Sequence, residues 1–378
     1  MKKALKNVLW VTSWYPNRHH STLGNFIQRH AIAASHYANI TLVAVIASSQ
    51  QTFSWATSDT QNGQLREIIV YYPKWMRHFG SQWALRSLLK RMKNERVNYD
   101  VVHGHVLLSS WWMIKVASGI FNTPTVLTEH WAGFHHEGES QLPGWKKKGM
   151  KSVGQSLSFA LPVTKHLGER MKSGGYIKDY SVIGNVVDTK LFVPRESGKS
   201  KDFCQFIHVS TLHDKQKNVT GILDVCAALK EINANFHLEI IGDGATTPYI
   251  DYAKQLGIYP KYVSIKGEQT LDTIARRMRE SEVLVLFSNY ENFPCVIVEA
   301  WASGIPVIAT DVGGIAEHLT DKMGSCIDAG DRVSLQNSML YMIENHQSYD
   351  RNTLRKYAKE HFSEEAIGKQ FLNIYTAC

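Results

Sequence analysis

Residues 288–317 read SNYENFPCVIVEAWASGIPVIATDVGGIAE and follow a short apolar run, VLVLF at 283–287. That run has the length and composition of a strand buried on both faces of a parallel sheet. A polar turn follows at 288–292. Pro294 suits the first turn of a helix, where its missing N–H would have no partner anyway. A helix is expected over 295–302, with Val296, Ile297 and Ala300 toward a sheet and the Gly304-Ile305-Pro306 run ending it. Residues 307–310 form the next strand, and the glycine turn at 311–314 opens another helix.

This succession places a helix start at the end of a strand. Such a start offers backbone N–H groups and the positive end of the helix dipole, and a phosphate sits well there. Glu291 lies just before it, and Glu299 about two turns into the helix. Carboxylates repel phosphate but accept hydrogen bonds from sugar hydroxyls. The stretch therefore fits a nucleotide sugar. Glu291 would hold the transferred sugar, the backbone of Asn292, Phe293, Pro294 and Cys295 the sugar or phosphate oxygens, and Glu299 the ribose. For either glutamate alone, an ordinary amphipathic helix with an exposed acid is the competing reading.

The pattern of Glu, seven residues, Glu, followed by A-x-A-x-G-x-P-V-I-A-T-x-x-G-G-x-x-E, resembles the donor-site signature of the family 4 retaining glycosyltransferases. Asn292 stands where that family more usually has Gly. The resemblance implies the GT-B fold, transfer with retained stereochemistry, and Glu291 as a catalytic residue. Residues 185–192 resemble the family's N-G-V-D-x-x-x-F hinge, with Val186 in place of Gly. The loop at 211–218 resembles its G-R-L-x-x-x-K-G loop, whose Arg and Lys neutralise the donor diphosphate. Lys217 fits the Lys position, Thr211 stands where the Arg would be, and Lys215 is a candidate substitute. A cation there stabilises charge that develops as the diphosphate leaves.

At 378 residues the chain is long for one core, and 44% hydrophobic with 20% charged residues is the composition of a globular protein. Strands alternate with helices throughout. In the first half they are expected at 8–12, 40–46, 68–72, 101–103, 125–128, 161–163 and 181–183. In the second half they are expected at 206–210, 238–241, 263–266, 283–287, 307–310 and 325–327. This pattern predicts two Rossmann-like α/β domains with parallel sheets facing across a cleft. The domains are read as 1–184, acceptor-binding, and 185–363, donor-binding, with a C-terminal helix over 364–378 crossing back to the first. The polar stretch at 193–201 reads as linker.

Charge divides the same way. Up to residue 184 there are 22 Lys and Arg against 9 Asp and Glu; after it, 20 against 25. The first half is therefore suited to something anionic. Helical stretches at 82–97 and 145–157 pair basic residues with Trp and Leu. They suit either peripheral contact with an anionic membrane or a plain solvated face over a core. No apolar run reaches the length of a membrane span, and the start of the chain reads as a first strand, which points to the cytoplasm. The five cysteines form no C-x-x-C pair, consistent with a reducing compartment.

Three places in the first half are further candidates. His130 follows the strand at 125–128 in a T-x-H that resembles the family's acceptor-side histidine. A neutral imidazole there suits the transferring sugar or the acceptor hydroxyl. His103 and His105, in VHGH, are acceptor-side candidates of lower rank. Gly24 ends a long first loop at a helix start, where backbone can approach the donor closely, and Arg18 in that loop suits an anionic acceptor. The loop is not a G-x-G-x-x-G fingerprint, which argues against NAD. No D-x-D triplet and no His/Cys/carboxylate cluster with ligand spacing occurs, so the reading is metal-independent transfer without a cofactor. Nucleic acid is disfavoured because no reading module is recognisable. The competing functions are a GT-B-type nucleotide-sugar epimerase and a non-catalytic sugar-nucleotide or membrane-binding protein. The base, the sugar and the acceptor are not legible.

Overall fold

Strand β1 (Asn7–Thr12) alternates its side chains between two cores: Leu9 and Val11 enter one, Val8 and Trp10 the other. A strand apolar on both faces must be covered on both, which requires helices on each side of the sheet. The computed structural model describes residues 5–52, 54–135, 138–196 and 202–378. The end of the sequence-read linker, 197–201, lies outside the described residues. The chain divides into two compact units, residues 1–186 with 364–378, and residues 187–363. The division falls two residues beyond the 184/185 boundary read from sequence.

The first unit holds a seven-stranded sheet in the order β3-β4-β2-β1-β5-β6-β7. Its further strands are β2 (Asn39–Ser48), β3 (Ala56–Asn62), β4 (Leu65–Pro73), β5 (Val101–His105), β6 (Thr125–Glu129) and β7 (Phe159–Pro162). All pairs are parallel except β3 with β4, a hairpin. Helices Arg77–Asn94, Leu107–Phe121 and Gly144–Gly154 supply one core. Helices Asn25–Ser35 and Glu364–Ala377 supply the other, through Ile27, Ala31, Ile367 and Phe371. The last two lie close: a Cβ on Gly368 would stand 2.4 Å from the Ala33 carbonyl oxygen.

The second unit holds six parallel strands in the order β10-β9-β8-β11-β12-β13. They are β8 (Cys204–Ser210), β9 (Phe236–Gly242), β10 (Val263–Lys266), β11 (Val283–Leu286), β12 (Val307–Thr310) and β13 (Gly324–Ile327). The chain builds outward from β8 to β10, returns to the other side of β8, and builds outward again from β11. The carboxyl ends of β8 and β11 thus flank the point where strand order reverses, the usual place for a ligand in such a sheet.

Three local expectations are corrected, and one strand had escaped notice. Residues 181–183 form no strand, although the amides of Ser181 and Ile183 still donate to Ala160 and Pro162 beside β7. Strand β3 was not legible, because ATSDTQN is polar and almost wholly exposed, with no alternation to detect. Pro294 is extended and precedes the helix Cys295–Ala302 instead of lying inside it. The turn at 311–314 leads only into the single 3-10 turn Ile315–Glu317.

Candidate functional site

At the carboxyl ends of β8 and β11 the second unit brings Lys217 and Glu291 together. The Lys217 ammonium donates to Glu291 Oε1, which also accepts from Ser288 Oγ at 2.9 Å, while Gln216 Nε2 lies 3.4 Å from Oε2. Both partners are buried, at 9% and 6% exposure. A buried ion pair survives only when further hydrogen bonds satisfy its oxygens, and Ser288 and Gln216 supply them. An ammonium has three donors, of which Glu291 takes one.

The two loops are fastened by backbone. The Asn289 amide donates to the Gln216 carbonyl at 2.7 Å, and Asn289 Nδ2 to that of Lys215 at 3.0 Å. The turn carrying Lys217 is held from the other side by Asp214, whose carboxylate accepts from the Thr220 amide at 2.9 Å and hydroxyl at 2.8 Å. Below it, buried His208 bridges β8 to β11: Nδ1 lies 2.8 Å from the Val285 carbonyl and Nε2 2.7 Å from Ser210 Oγ. Burial lowers the His208 pKa to about 4; the Val285 bond opposes this and the Lys217 charge adds to it.

The loop after β12 braces the same site. Gly313 has φ +63°, and a Cβ there would stand 2.2 Å from the Glu291 carbonyl oxygen; the Gly314 amide donates to Asn292 at 2.8 Å. Here glycine is required by both conformation and space. Asn292 is buried, Cys295 half-buried as the first residue of its helix, and Phe293 is 3% exposed in the core against Trp301, His318 and Phe362. The Phe293 side chain therefore packs the unit, and only its backbone is suited to a donor. Glu299 is buried as the fifth residue of the helix, a little over one turn in instead of two. Thr211 and Lys215 are exposed at the loop after β8.

Sequence reasoning passed over Gln216, Ser288 and the glycines after β9. A Cβ on Gly242 would meet the Ser210 carbonyl oxygen at 2.2 Å, and one on Gly244 the Thr211 carbonyl oxygen at 2.7 Å. The G-D-G at 242–244, directly after an apolar strand, was the available signal. Ser288 and Gln216 carried none, since their roles appear only once two loops 70 residues apart are folded together.

In the first unit, His130 directly follows β6, its ring 4.3 Å from that of Phe26 and 5.0 Å from that of His30. Burial, then the charges of His30 and His103, hold its pKa well below the ordinary value, so the imidazole is neutral. Glu129, buried beside it, accepts the amides of Leu107, His130 and Trp131, each at 2.8 Å. Burial raises its pKa to about 7 against those three bonds.

His103 and His105 are both fully buried, which corrects their reading as acceptor-side residues. His103 Nδ1 lies 2.8 Å from the Tyr375 hydroxyl and Nε2 2.8 Å from Thr128 Oγ1, while His105 stacks between His103 and Trp10. They pack the sheet end under the last helix. Gly24 has φ +69°, and a Cβ there would stand 2.5 Å from the Trp14 carbonyl oxygen, so the loop's own packing demands glycine. The Arg18 guanidinium lies 4.0 Å above the Tyr71 ring. Among the described residues no group of three His, Cys, Asp or Glu could hold a metal ion, and no helix is long and apolar enough to cross a membrane.

Comparison with known proteins gives these sites a context. Residues 190–361 match the family described as glycosyl transferases group 1, and residues 42–191 match glycosyltransferase family 4. The chain is 28% identical over 211 residues to N-acetyl-alpha-D-glucosaminyl L-malate synthase of Bacillus anthracis, covering 52% of this chain and 54% of that protein. It is 23% identical over 335 residues, 82% of each, to a Bacillus subtilis protein named for teichuronic acid biosynthesis, TuaC. The chain thus spans about half the length of the first of these relatives and most of the second. Among solved structures, Anabaena HepE in complex with UDP aligns with a TM-score of 0.73 at 16% identity, over 99% of this chain and all of that one. That likeness shows the GT-B fold.

Proposed function

Because the chain is a glycosyltransferase of group 1 with the GT-B fold, we propose that it moves a sugar from a nucleoside diphosphate to a hydroxyl acceptor in the assembly of a polysaccharide or glycolipid. The observation that carries this reading is the buried Lys217–Glu291 pair at the point where strand order reverses in the second unit. The pair sets a cation suited to the diphosphate beside an acceptor group suited to sugar hydroxyls. Glu291 also orients Lys217, which keeps two donors for phosphate oxygens. Uridine is the proposed base, supported by the UDP complex of the HepE neighbour.

Transfer proceeds with retention and without a metal. The bond from the sugar's anomeric carbon to the diphosphate breaks, and the acceptor oxygen bonds to that carbon on the same face. The acceptor proton passes to the leaving phosphate oxygen. Lys217 stabilises the negative charge that develops there. His130, neutral at working pH, hydrogen-bonds the transferring sugar. The first unit binds the acceptor, and its basic character suits a phosphorylated or lipid-linked one held at an anionic membrane.

A thermal-shift screen against UDP, GDP and ADP sugars tests the donor. The expected result is a shift with UDP sugars that Lys217→Ala abolishes. No shift with any nucleotide would remove the reading. NMR of the product reads the anomeric configuration, and inversion would remove the retaining step. Undiminished transfer in excess chelator is expected if no metal takes part.

A further inference from the structure

The loop after β1 closes a tight turn around Arg18. The Asn17 amide donates to the His20 carbonyl at 3.0 Å, and the His20 amide to that of Asn17 at 3.1 Å. The His19 amide donates to Asn17 Oδ1 at 2.9 Å. These bonds fix the shape of the turn, which presents Arg18 and His19 side by side. It meets the carboxyl ends of β2 and β4 at Ser48 and Tyr71. Ser48 pairs with Pro73 and Ile46 with Tyr71, so the register puts Ser48 and Tyr71 on one face of the sheet.

Together they hold the exposed Arg18 guanidinium in place. It lies 4.0 Å over the Tyr71 ring, the Arg18 amide donates to the Tyr71 hydroxyl at 3.3 Å, and Nη2 is 3.5 Å from Ser48 Oγ. His19 closes the other side, its Nε2 3.0 Å from Ser48 Oγ and its ring edge-on to that of Tyr71 at 5.6 Å. Gln51, with its amide nitrogen on the Ser54 carbonyl, accepts from Nη2 at 3.0 Å. Not one of these partners is a carboxylate. Among the described residues no acid pairs with Arg18, and no acceptor faces its Nη1. The acids nearby are committed elsewhere: Asp59 pairs with Arg66 at 2.7 Å, and Glu67 accepts from the Tyr15 hydroxyl and from Gln28 Nε2. An arginine held by uncharged groups and left without a counter-ion is prepared for an anion from outside.

We propose that Arg18, backed by Tyr71, Ser48 and His19, binds a carboxylate on the acceptor and so sets which acceptor the enzyme takes. The inference rests on the reading of the first unit as the acceptor-binding one. A guanidinium fork matches the two oxygens of a planar carboxylate. The one fixed charge of Arg18 balances a carboxylate, whereas a phosphate monoester, at about −1.5 to −2 near neutral pH, would stay under-neutralised. The ends of β2 and β6 lie on the same edge of the sheet, three strand spacings or roughly 14 Å apart. The acid is therefore carried on a part of the acceptor remote from any hydroxyl that meets His130. Arg18 touches no reacting atom; it selects the molecule that is glycosylated.

The test is NMR of the full chain with isotope-labelled arginine side chains, titrated with methyl glucuronide, methyl glucoside and glucose 6-phosphate. The Arg18 Nε–H signal, assigned by its loss in Arg18→Gln, should move saturably with the glucuronide and stay still with the glucoside. Followed through the ligand's own signals, glucuronide binding should weaken at least about tenfold in Arg18→Gln. Arg18→Lys should restore little of it, because an ammonium lacks the fork. Equal binding of glucuronide and glucoside, or a glucuronide affinity that Arg18→Gln leaves unchanged, overturns the proposal. Tighter binding of glucose 6-phosphate than of glucuronide overturns it as well, since the site would then be one for phosphate. The donor site is read separately by thermal shift with UDP sugars, which Arg18→Gln should leave unchanged. A shift that persists where the glucuronide fails strikes the Arg18 assignment alone, and no shift in the wild-type chain strikes the nucleotide-sugar reading.

Discussion

The two sheets end differently at their carboxyl edges. The second keeps a charged pair, Lys217 with Glu291, buried and held by Ser288, Gln216 and the loop of Gly313. The first gathers His30, His103, His105 and His130 and holds all four neutral by burial. A charged pair under the surface costs solvation that hydrophobic residues of the same size would not, so its presence marks a place shaped for charge. Neutral imidazoles packed against Trp10 and Phe371 cost far less and mostly serve packing. One architecture, used twice, thus has an electrostatic end suited to a diphosphate and an end lined by buried neutral imidazoles, His130 among them.

The sharpest way to break this contrast is at the pair itself. Glu291→Gln keeps the size of the side chain and leaves the Lys217 charge without its counter-ion. Transfer is expected to fall by about 10²–10³-fold, the scale of losing one preorganised electrostatic contact. Lys217→Ala should weaken nucleotide affinity and kcat together, and the double variant should lose less than the two single losses combined. Single-turnover kinetics with each variant read this. Additive losses would mean that the two side chains act separately.

The histidine end responds to pH. In each of the four, the folded pKa lies below the unfolded value of 6.5, so the unfolded chain binds more protons in acid. Their contribution to stability is complete above that value and is lost as pH falls through it. Glu129 works in the opposite sense: its pKa, raised to about 7, returns stability as pH falls from there toward 4.5. Four histidine losses set against the one Glu129 gain leave the first unit with a net loss of stability on acidification below the histidine value. In the second unit His208, with a pKa of about 4, adds a loss of its own over the same window. Limited proteolysis mapped by mass spectrometry should show the first unit opening first on acidification. Cuts appearing first in residues 187–363 would contradict the assignment.

Gly313→Ala tests how firmly the second site is braced. The new methyl would meet the Glu291 carbonyl oxygen at 2.2 Å, in a left-handed conformation that alanine adopts at a cost of about 1–2 kcal/mol. The expected result is a modest fall in melting temperature with a larger fall in transfer, because the strain is released through the loop of Glu291. Loss of stability alone, with kcat unchanged, would show that the loop relaxes elsewhere.

What could be read from sequence follows from how local each signal is. Every strand of the second sheet was legible, because runs such as VLVLF and VIAT are apolar on both faces and stand between turn residues. The helix at Cys295–Ala302 was legible from its Pro and Gly borders. Strand β3 was not, since a polar edge strand takes its conformation from its partner β4 and carries no pattern of its own. At the site, Glu291, Lys217 and Gly313 stood in motifs, whereas Ser288 and Gln216 matter only through tertiary contact. His103 and His105 read as lower-ranked acceptor-side candidates because they end a strand, and only the fold shows both of them buried and His103 bonded to Tyr375 of the last helix.

The smallest expected effect concerns the cation that the family pattern places near Thr211. Lys215 is exposed, and its backbone carbonyl already fastens Asn289, so its position is fixed by something other than its charge. An exposed ammonium gains little from a phosphate through water-filled space, about 1 kcal/mol or less. Lys215→Ala should therefore weaken nucleoside diphosphate binding by no more than about fivefold, mostly at low salt. Thr211→Arg should tighten binding if the loop, one residue longer than the pattern, still aims that position at the diphosphate. Titration calorimetry of both variants at two salt concentrations separates the cases. A large loss for Lys215→Ala would make it, with Lys217, a second cation of the site. No gain for Thr211→Arg would show that the longer loop, with Leu212 at φ +51° and its carbonyl bonded to Tyr249, has turned that position away.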